Sequence, residues 1–220
     1  MYIDFDIVRH AAPALWQGLK LTATVSVISI PLGIVIGTIA AYMADAKHMA
    51  LRAVALGYVE LVCNIPFLIL VYLSFFGLPK LGLQSSAFAI AIGTMAFYTG
   101  GYFCEILRAA FRSVPKGQIR AALSLGMSGW KIQRYVVVPQ IFGFLIPPTV
   151  SLTIMMFKDT AVFSVMSLPE LTYQSNLMTA DTFAYVEVLG TTALIYWGAS
   201  ALMETFGHAM EMRVRRWSHR

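Results

Sequence analysis

Arg120-Ala121-Ala122-Leu123-Ser124-Leu125-Gly126, followed after nine residues by Val136-Val137-Val138-Pro139, is a polar-flanked helix signal inside an otherwise apolar chain. Small alanines and a terminal glycine let a second surface approach the backbone closely. The spacing predicts a two-turn helix over 119–125, with Ala122 and Leu125 on one face and Gly126 in a left-handed cap. Pro115 and Gly117 are expected to break the helix before it. Trp130 to Tyr135 leads back to an apolar run. Two readings fit this stretch: a connecting helix lying on the lipid surface, or a docking helix for a soluble partner.

Around this stretch the composition is that of a membrane protein. Of the 220 residues 58% are hydrophobic and only 12% charged, with a mean hydropathy of +0.71. A soluble domain carries about 45–50% apolar and about 25% charged residues. Five apolar segments are long enough to cross about 30 Å of hydrocarbon, which takes roughly 20 residues each. They lie near 22–43, 56–78, 88–107, 136–157 and 183–206. The expected fold is therefore an all-α integral membrane protein of five transmembrane helices. It forms a single domain over 1–220, with two longer connections, 108–135 and 164–181, the first of which has internal order. A disordered tract, an internal repeat and a cleavable signal peptide are not expected. Asp4 and Asp6 stand where a signal peptide would be basic.

Charge placement predicts orientation. Of the 16 Lys and Arg residues, those at 47, 52, 108–134 and 213–220 share one set of segment ends. Arg9, Lys20, Lys80 and Lys158 hold the other. The positive-inside rule puts the first set in the cytoplasm, the N-terminus outside and the C-terminus inside. The same placement assigns the net charge of +5 to topology and not to nucleic acid. Residues 9–19, with Trp16, are expected to lie along the outer interface as a short amphipathic helix.

Within the spans, a few residues suggest chemistry. Gly33-x-x-x-Gly37 has the spacing that lets membrane helices pack backbone to backbone, although glycine is also simply common in such helices. Pro147-Pro148 removes two backbone donors and predicts a broken fourth span. The freed carbonyls of Gly143 and Phe144 would then need buried or wet surroundings. Thr149, Ser151 and Thr153 crowd the same stretch. Charges at membrane depth are expensive and usually functional, which singles out Asp159 beside Lys158 and Thr160, and also Glu60. Asp159 either meets a solute ammonium or guanidinium, or is neutralised by Lys158. Glu105 is expected to pair with Arg108 one turn on. The two cysteines, Cys63 and Cys104, lie in apolar stretches and fix no redox compartment. No phosphate loop, catalytic triad or metal-ligand spacing is expected, so any energy for uphill movement must come from an ion gradient or a separate ATPase.

Taken together, the motifs resemble those of a known family. Ala121-Ala122, Gly126, Val136, Val138 and Pro139 fall in register with the E-A-A-x3-G-x9-I-x-L-P loop of permease subunits of bacterial ABC importers. The wider stretch is similar to the polar amino acid (histidine/glutamine/arginine-type) permeases. It matches at Glu60-Leu61 to Pro66, Gly77-Leu78-Pro79, Glu105-Ile106-Leu107-Arg108, Val114-Pro115-Lys116-Gly117-Gln118, Pro139-Gln140, Ile146-Pro147-Pro148 and Lys158-Asp159-Thr160. The resemblance implies a type I importer permease in the bacterial cytoplasmic (inner) membrane. It also implies three kinds of partner: a second permease subunit, identical or related; two cytoplasmic ATP-binding subunits that hold the ATP and Mg; and an extracytoplasmic solute-binding protein. The chain itself would bind no cofactor and catalyse no reaction. Coupling to the ATPase would fall on Lys116, Gly117, Gln118, Arg120, Ala121, Ala122, Leu125 and Gly126. The solute path would fall on Glu60, Cys63, Asn64, Thr149, Ser151, Asp159 and Thr160. Two positions depart from the family pattern: Arg120 replaces the acid of the loop motif, and Cys63 replaces an arginine of the second span. An ion-coupled secondary transporter and a non-transporting membrane scaffold are the alternatives.

Overall fold

A computed structural model describes residues 4–218, with side chains to Arg213. Arg215, Arg216 and Arg220, counted above among the cytoplasmic cations, lie outside the described side chains. The described residues form nine α-helices joined by short 3-10 and π turns. Four stretches are long and apolar enough to cross a membrane: Phe5–Ala44, Ala87–Arg112, Gly129–Met166 and Tyr185–Arg213. The pair Met49–Asn64 and Phe67–Leu81 forms a fifth, bent by 109°.

Helix α1 (Phe5–Ala44) has 40 residues, so it is about 60 Å long, roughly twice the hydrocarbon thickness. The Asp4 carboxylate caps it by accepting from the Asp6 N–H at 2.9 Å. Its buried face is a stripe of small residues, Gly18, Thr22, Ser26, Ser29, Gly33, Gly37, Ala41 and Ala44, three or four apart. Against that stripe lies α4 (Ala87–Arg112). A Cβ placed on Gly33 would stand 2.5 Å from the Thr99 Cβ, and one on Gly37 would stand 2.5 Å from the Gly100 carbonyl oxygen. The Gly33-Gly37 pair is therefore a backbone-to-backbone contact and not incidental glycine. On the other side of α4, Gly101 admits Val62 of α2 (Met49–Asn64), whose Cγ1 would lie 2.5 Å from an added Cβ.

Three expectations need correction. The N-terminal segment is not a separate interfacial helix. It continues α1, because its small face has a protein partner: Ala11 and Leu15 are buried with Leu171 and Val188, and the Leu171 backbone sits against Gly18. Next, the second span is not one straight helix. Pro66 cannot donate and disfavours helical backbone at the residue before it. Ile65 accordingly turns extended (φ −99°, ψ 129°) between α2 and α3 (Phe67–Tyr72). Finally, the fourth span is not broken at its diproline. Helix α7 (Val138–Asp159) runs through Pro147 and Pro148. Proline removes donors, yet its fixed φ is itself helical. Just beyond the diproline, α9 (Tyr185–Ser218) braces α7, with Gly207 admitting Val150 at close range.

The main core lies where α1, α4, the bent span and the 3-10 turn Thr160–Met166 meet, around Val25, Val62, Val71, Met95, Met156 and Phe163. Phe67, the first residue after the bend, stacks on Tyr98 at 4.6 Å and meets Phe163 edge-on at 5.6 Å. This aromatic contact pins the bend to α4.

Candidate functional site

At the end of the molecule where α1 and α4 finish, the loop folds as α5 (Lys116–Ser124) and α6 (Gly129–Ile132). Helix α5 starts three residues earlier than expected. Pro115 (φ −61°, ψ 123°) occupies its N-cap, and Gly117 lies inside its first turn and breaks nothing. The expected glycine cap is present: Gly126 has φ +71°. The Gly126 N–H donates to the Leu123 carbonyl at 2.9 Å, and the Met127 N–H to the Ala122 carbonyl at 3.1 Å. This paired closure satisfies the last carbonyls of the helix. Ala122 and Leu125 do not share a face. Ala122 is buried in the core with Ile132, whereas Leu125, past the helix end, is 82% exposed. Lys116, Gly117, Gln118, Arg120 and Ala121 are all exposed. The loop thus shows a polar surface with Leu123 and Leu125 standing out of it, held to the body through Ala122. Just before it, Arg108 forms the expected ion pair with Glu105.

The residues proposed for a solute path separate into groups. Glu60 and Asn64 are exposed on α2 beside the bend, with Cys63 half-buried between them. The Asn64 amide donates back to the Glu60 carbonyl at 2.7 Å. A carboxylate facing lipid is expensive, so this surface belongs against protein or water. Asp159, half-buried, ends α7. Among the described residues it forms no ion pair with Lys158. Tyr98 and Tyr102 of α4 share a hydroxyl–hydroxyl hydrogen bond of 3.3 Å, and Phe67 at the bend rests on the Tyr98 ring. The α7 hydroxyls turn elsewhere. Thr149 and Thr153 donate to the carbonyls of Leu145 and Thr149 at 2.6 and 2.8 Å. Both line an apolar cavity of about 520 Å³ shared with Met203 and Phe206 of α9. Ser151 is exposed on another side. Thr160 is fully buried and bonded to the Phe157 carbonyl. Sequence reasoning did not single out Tyr98 and Tyr102, although a spacing of four puts them on one face of a helix.

It also missed Glu170. This carboxylate is fully buried at the start of α8 (Leu171–Thr182), beside the N-terminal half of α1. It accepts from the Thr172 and Tyr173 N–H groups, both at 2.8 Å, and from the Tyr196 hydroxyl at 3.3 Å. The neighbouring Leu171 N–H donates to Thr22 of α1 at 3.2 Å. Glu170 thus ties α8 to α9, and the next residue ties α8 to α1. Burial pushes its pKa up to about 7, against the opposing pull of these hydrogen bonds. The readable signal was an acid between Pro169 and Leu171 at a helix start.

The model of the family described as binding-protein-dependent transport system inner membrane component matches residues 29–216. The chain is 30% identical over 217 residues to the glutamine transport system permease protein GlnP of Escherichia coli (strain K12), covering 98% of this chain and 99% of that one. It is 32% identical over 202 residues to the probable glutamine ABC transporter permease protein GlnP of Bacillus subtilis (strain 168), covering 90% and 93%. A solved chain from the crystal structure of an amino acid ABC transporter with histidines superposes with a TM-score of 0.91 at 29% identity, covering 97% of this chain and 100% of that one.

Proposed function

We propose that this chain, which belongs to the family of binding-protein-dependent transport system inner membrane components, supplies half of the solute path of an ATP-driven importer of polar amino acids. As a member of that family it is a multi-pass membrane protein and a transport subunit without catalysis of its own. ATP and Mg belong to a partner ATPase. The ion-coupled and scaffold alternatives lose their support.

Residues 1–220 form one transmembrane unit. The N-terminus faces outside and the loop 108–135 faces the cytoplasm, where α5 enters a groove on the ATPase. A second permease, identical or related, closes the path, and a solute-binding protein delivers from outside. The observation that carries this reading is the exposed Glu60 and Asn64 on a span bent by 109°. Irregular backbone and exposed polar groups at membrane depth are tolerated only against protein or a wet cavity. Glutamine-type solutes are favoured by the names of the relatives. An uncompensated Asp159 further suits a solute ammonium.

The test is purification with associated subunits, reconstitution in liposomes and assay of solute-dependent ATP hydrolysis and uptake. Asp159→Asn and the Lys158→Gln/Asp159→Asn double variant should each lower uptake roughly tenfold, the value of one charge-assisted contact, with assembly intact. Normal uptake and unchanged solute preference in the double variant would remove Asp159 from the path.

A further inference from the structure

A cavity of about 760 Å³ opens where α1, α4, α5 and the π turn Gln133–Val137 come together, at the ends of the spans. Part of its wall is apolar, formed by Ala41, Phe111, Val137 and Val138. Tyr42 and Trp130 also line it, and both are exposed. Tyr42 is braced by Phe111, with ring centroids 6.2 Å apart. Tyrosine and tryptophan with an apolar body and a polar tip are the side chains that settle at the headgroup level of a bilayer.

Two opposite charges line the same cavity, Asp45 at the end of α1 and Arg134 in the π turn. Among the described residues neither has an ion-pair partner. The wall therefore offers an anion and a cation that do not neutralise each other, beside its apolar part. The ligand that complements all three features has an anionic group, an ammonium and an acyl chain.

We infer that this cavity holds the headgroup of a zwitterionic phospholipid with a primary ammonium, a phosphatidylethanolamine. The phosphate lies toward Arg134, the ammonium toward Asp45, and one acyl chain runs over Val137 and Val138. A primary ammonium can donate hydrogen bonds to a carboxylate and a quaternary one cannot. The site should therefore distinguish phosphatidylethanolamine from phosphatidylcholine, which share phosphate and chains. The inference needs only that the chain spans a membrane, and it does not rest on which solute is carried.

The full chain, purified from membranes and stripped with detergent, is re-equilibrated with equal amounts of the two lipids, and the retained lipid is counted by native mass spectrometry. Wild type should retain phosphatidylethanolamine over phosphatidylcholine by roughly fivefold, the size of one charge-assisted hydrogen bond at a wet interface. Asp45→Asn should abolish that preference while keeping total lipid. Arg134→Gln should lower retention of both lipids, and Arg134→Lys should restore it. Unchanged thermal melting of each variant keeps the comparison free of misfolding. Equal retention of the two lipids by wild type overturns the site, as does indifference to both Asp45→Asn and Arg134→Gln. So does displacement of the lipid by free glutamine, which would assign the two charges to a soluble zwitterion.

Discussion

Burying the Glu170 carboxylate favours its neutral form, while two N–H donors and a tyrosine hydroxyl favour the charged one. Burial is the stronger effect, and the pKa rises from 4.5 to about 7. The folded state therefore binds the proton more tightly than the unfolded chain. That stabilisation is fully present below about pH 4.5 and is lost as pH rises through about 7. At 1.36 kcal/mol per unit the full swing is roughly 3 kcal/mol. The purified protein should thus melt at lower temperature at pH 8 than at pH 5. Glu170→Gln should flatten this dependence, and a melting series in which both proteins follow the same pH slope would remove Glu170 as its source. Glu170→Ala also removes the helix cap, worth about 1 kcal/mol, and should lower melting at every pH.

Among the elements, α1 and α4 are held by the absence of side chains at their contact. A Cβ on Gly37 meets backbone on α4 at 2.5 and 3.0 Å, and backbone cannot rotate away. Gly37→Leu should therefore force the helices apart, destabilising by roughly 2 kcal/mol or more and lowering the melting temperature in detergent. Gly57, in α2, has nothing within 4 Å of an added Cβ. Gly57→Ala should be neutral or stabilise by about 0.5–1 kcal/mol. Equal behaviour of the two variants would refute the packing assignment. In the loop, Gly126 has open space around it but φ +71°, so its role is conformational. Gly126→Trp should leave insertion intact, cost about 1–2 kcal/mol for a Cβ in the left-handed region, and uncouple ATP hydrolysis from uptake in reconstituted complexes. Coupled uptake by this variant would take α5 out of the ATPase contact.

For the whole molecule, the proposed orientation predicts that a reporter fused after Arg220 works only if it folds in the cytoplasm, and that one fused before Asp4 works only outside. The reverse pattern would invert the assignment. Most of the architecture was legible because apolar length is a property of single segments. The apolar runs marked the membrane stretches, and Gly126 marked a cap that any packing must respect. The places where reading failed are those where neighbours decide. Pro66 and Pro147-Pro148 offer the same backbone chemistry, yet the helix stops before Pro66 and α7 runs on through its diproline. The Phe67 ring on Tyr98 and Phe163 holds the first bend open, whereas Gly207 lets α9 brace the second site. Residues 9–19 had the amphipathic look of an interfacial helix, and only the α8 surface at Leu171 explains why they extend α1. Thr149 and Asp159 lie on one helix, but the threonine lines a cavity with α9 while the carboxylate stands half-buried at the helix end. The sequence by itself thus determined which segments enter the membrane, since burial in lipid is a sum over each segment's own side chains. The tertiary structure alone decided where helices bend and which polar groups meet, because those depend on contacts between residues far apart in the chain.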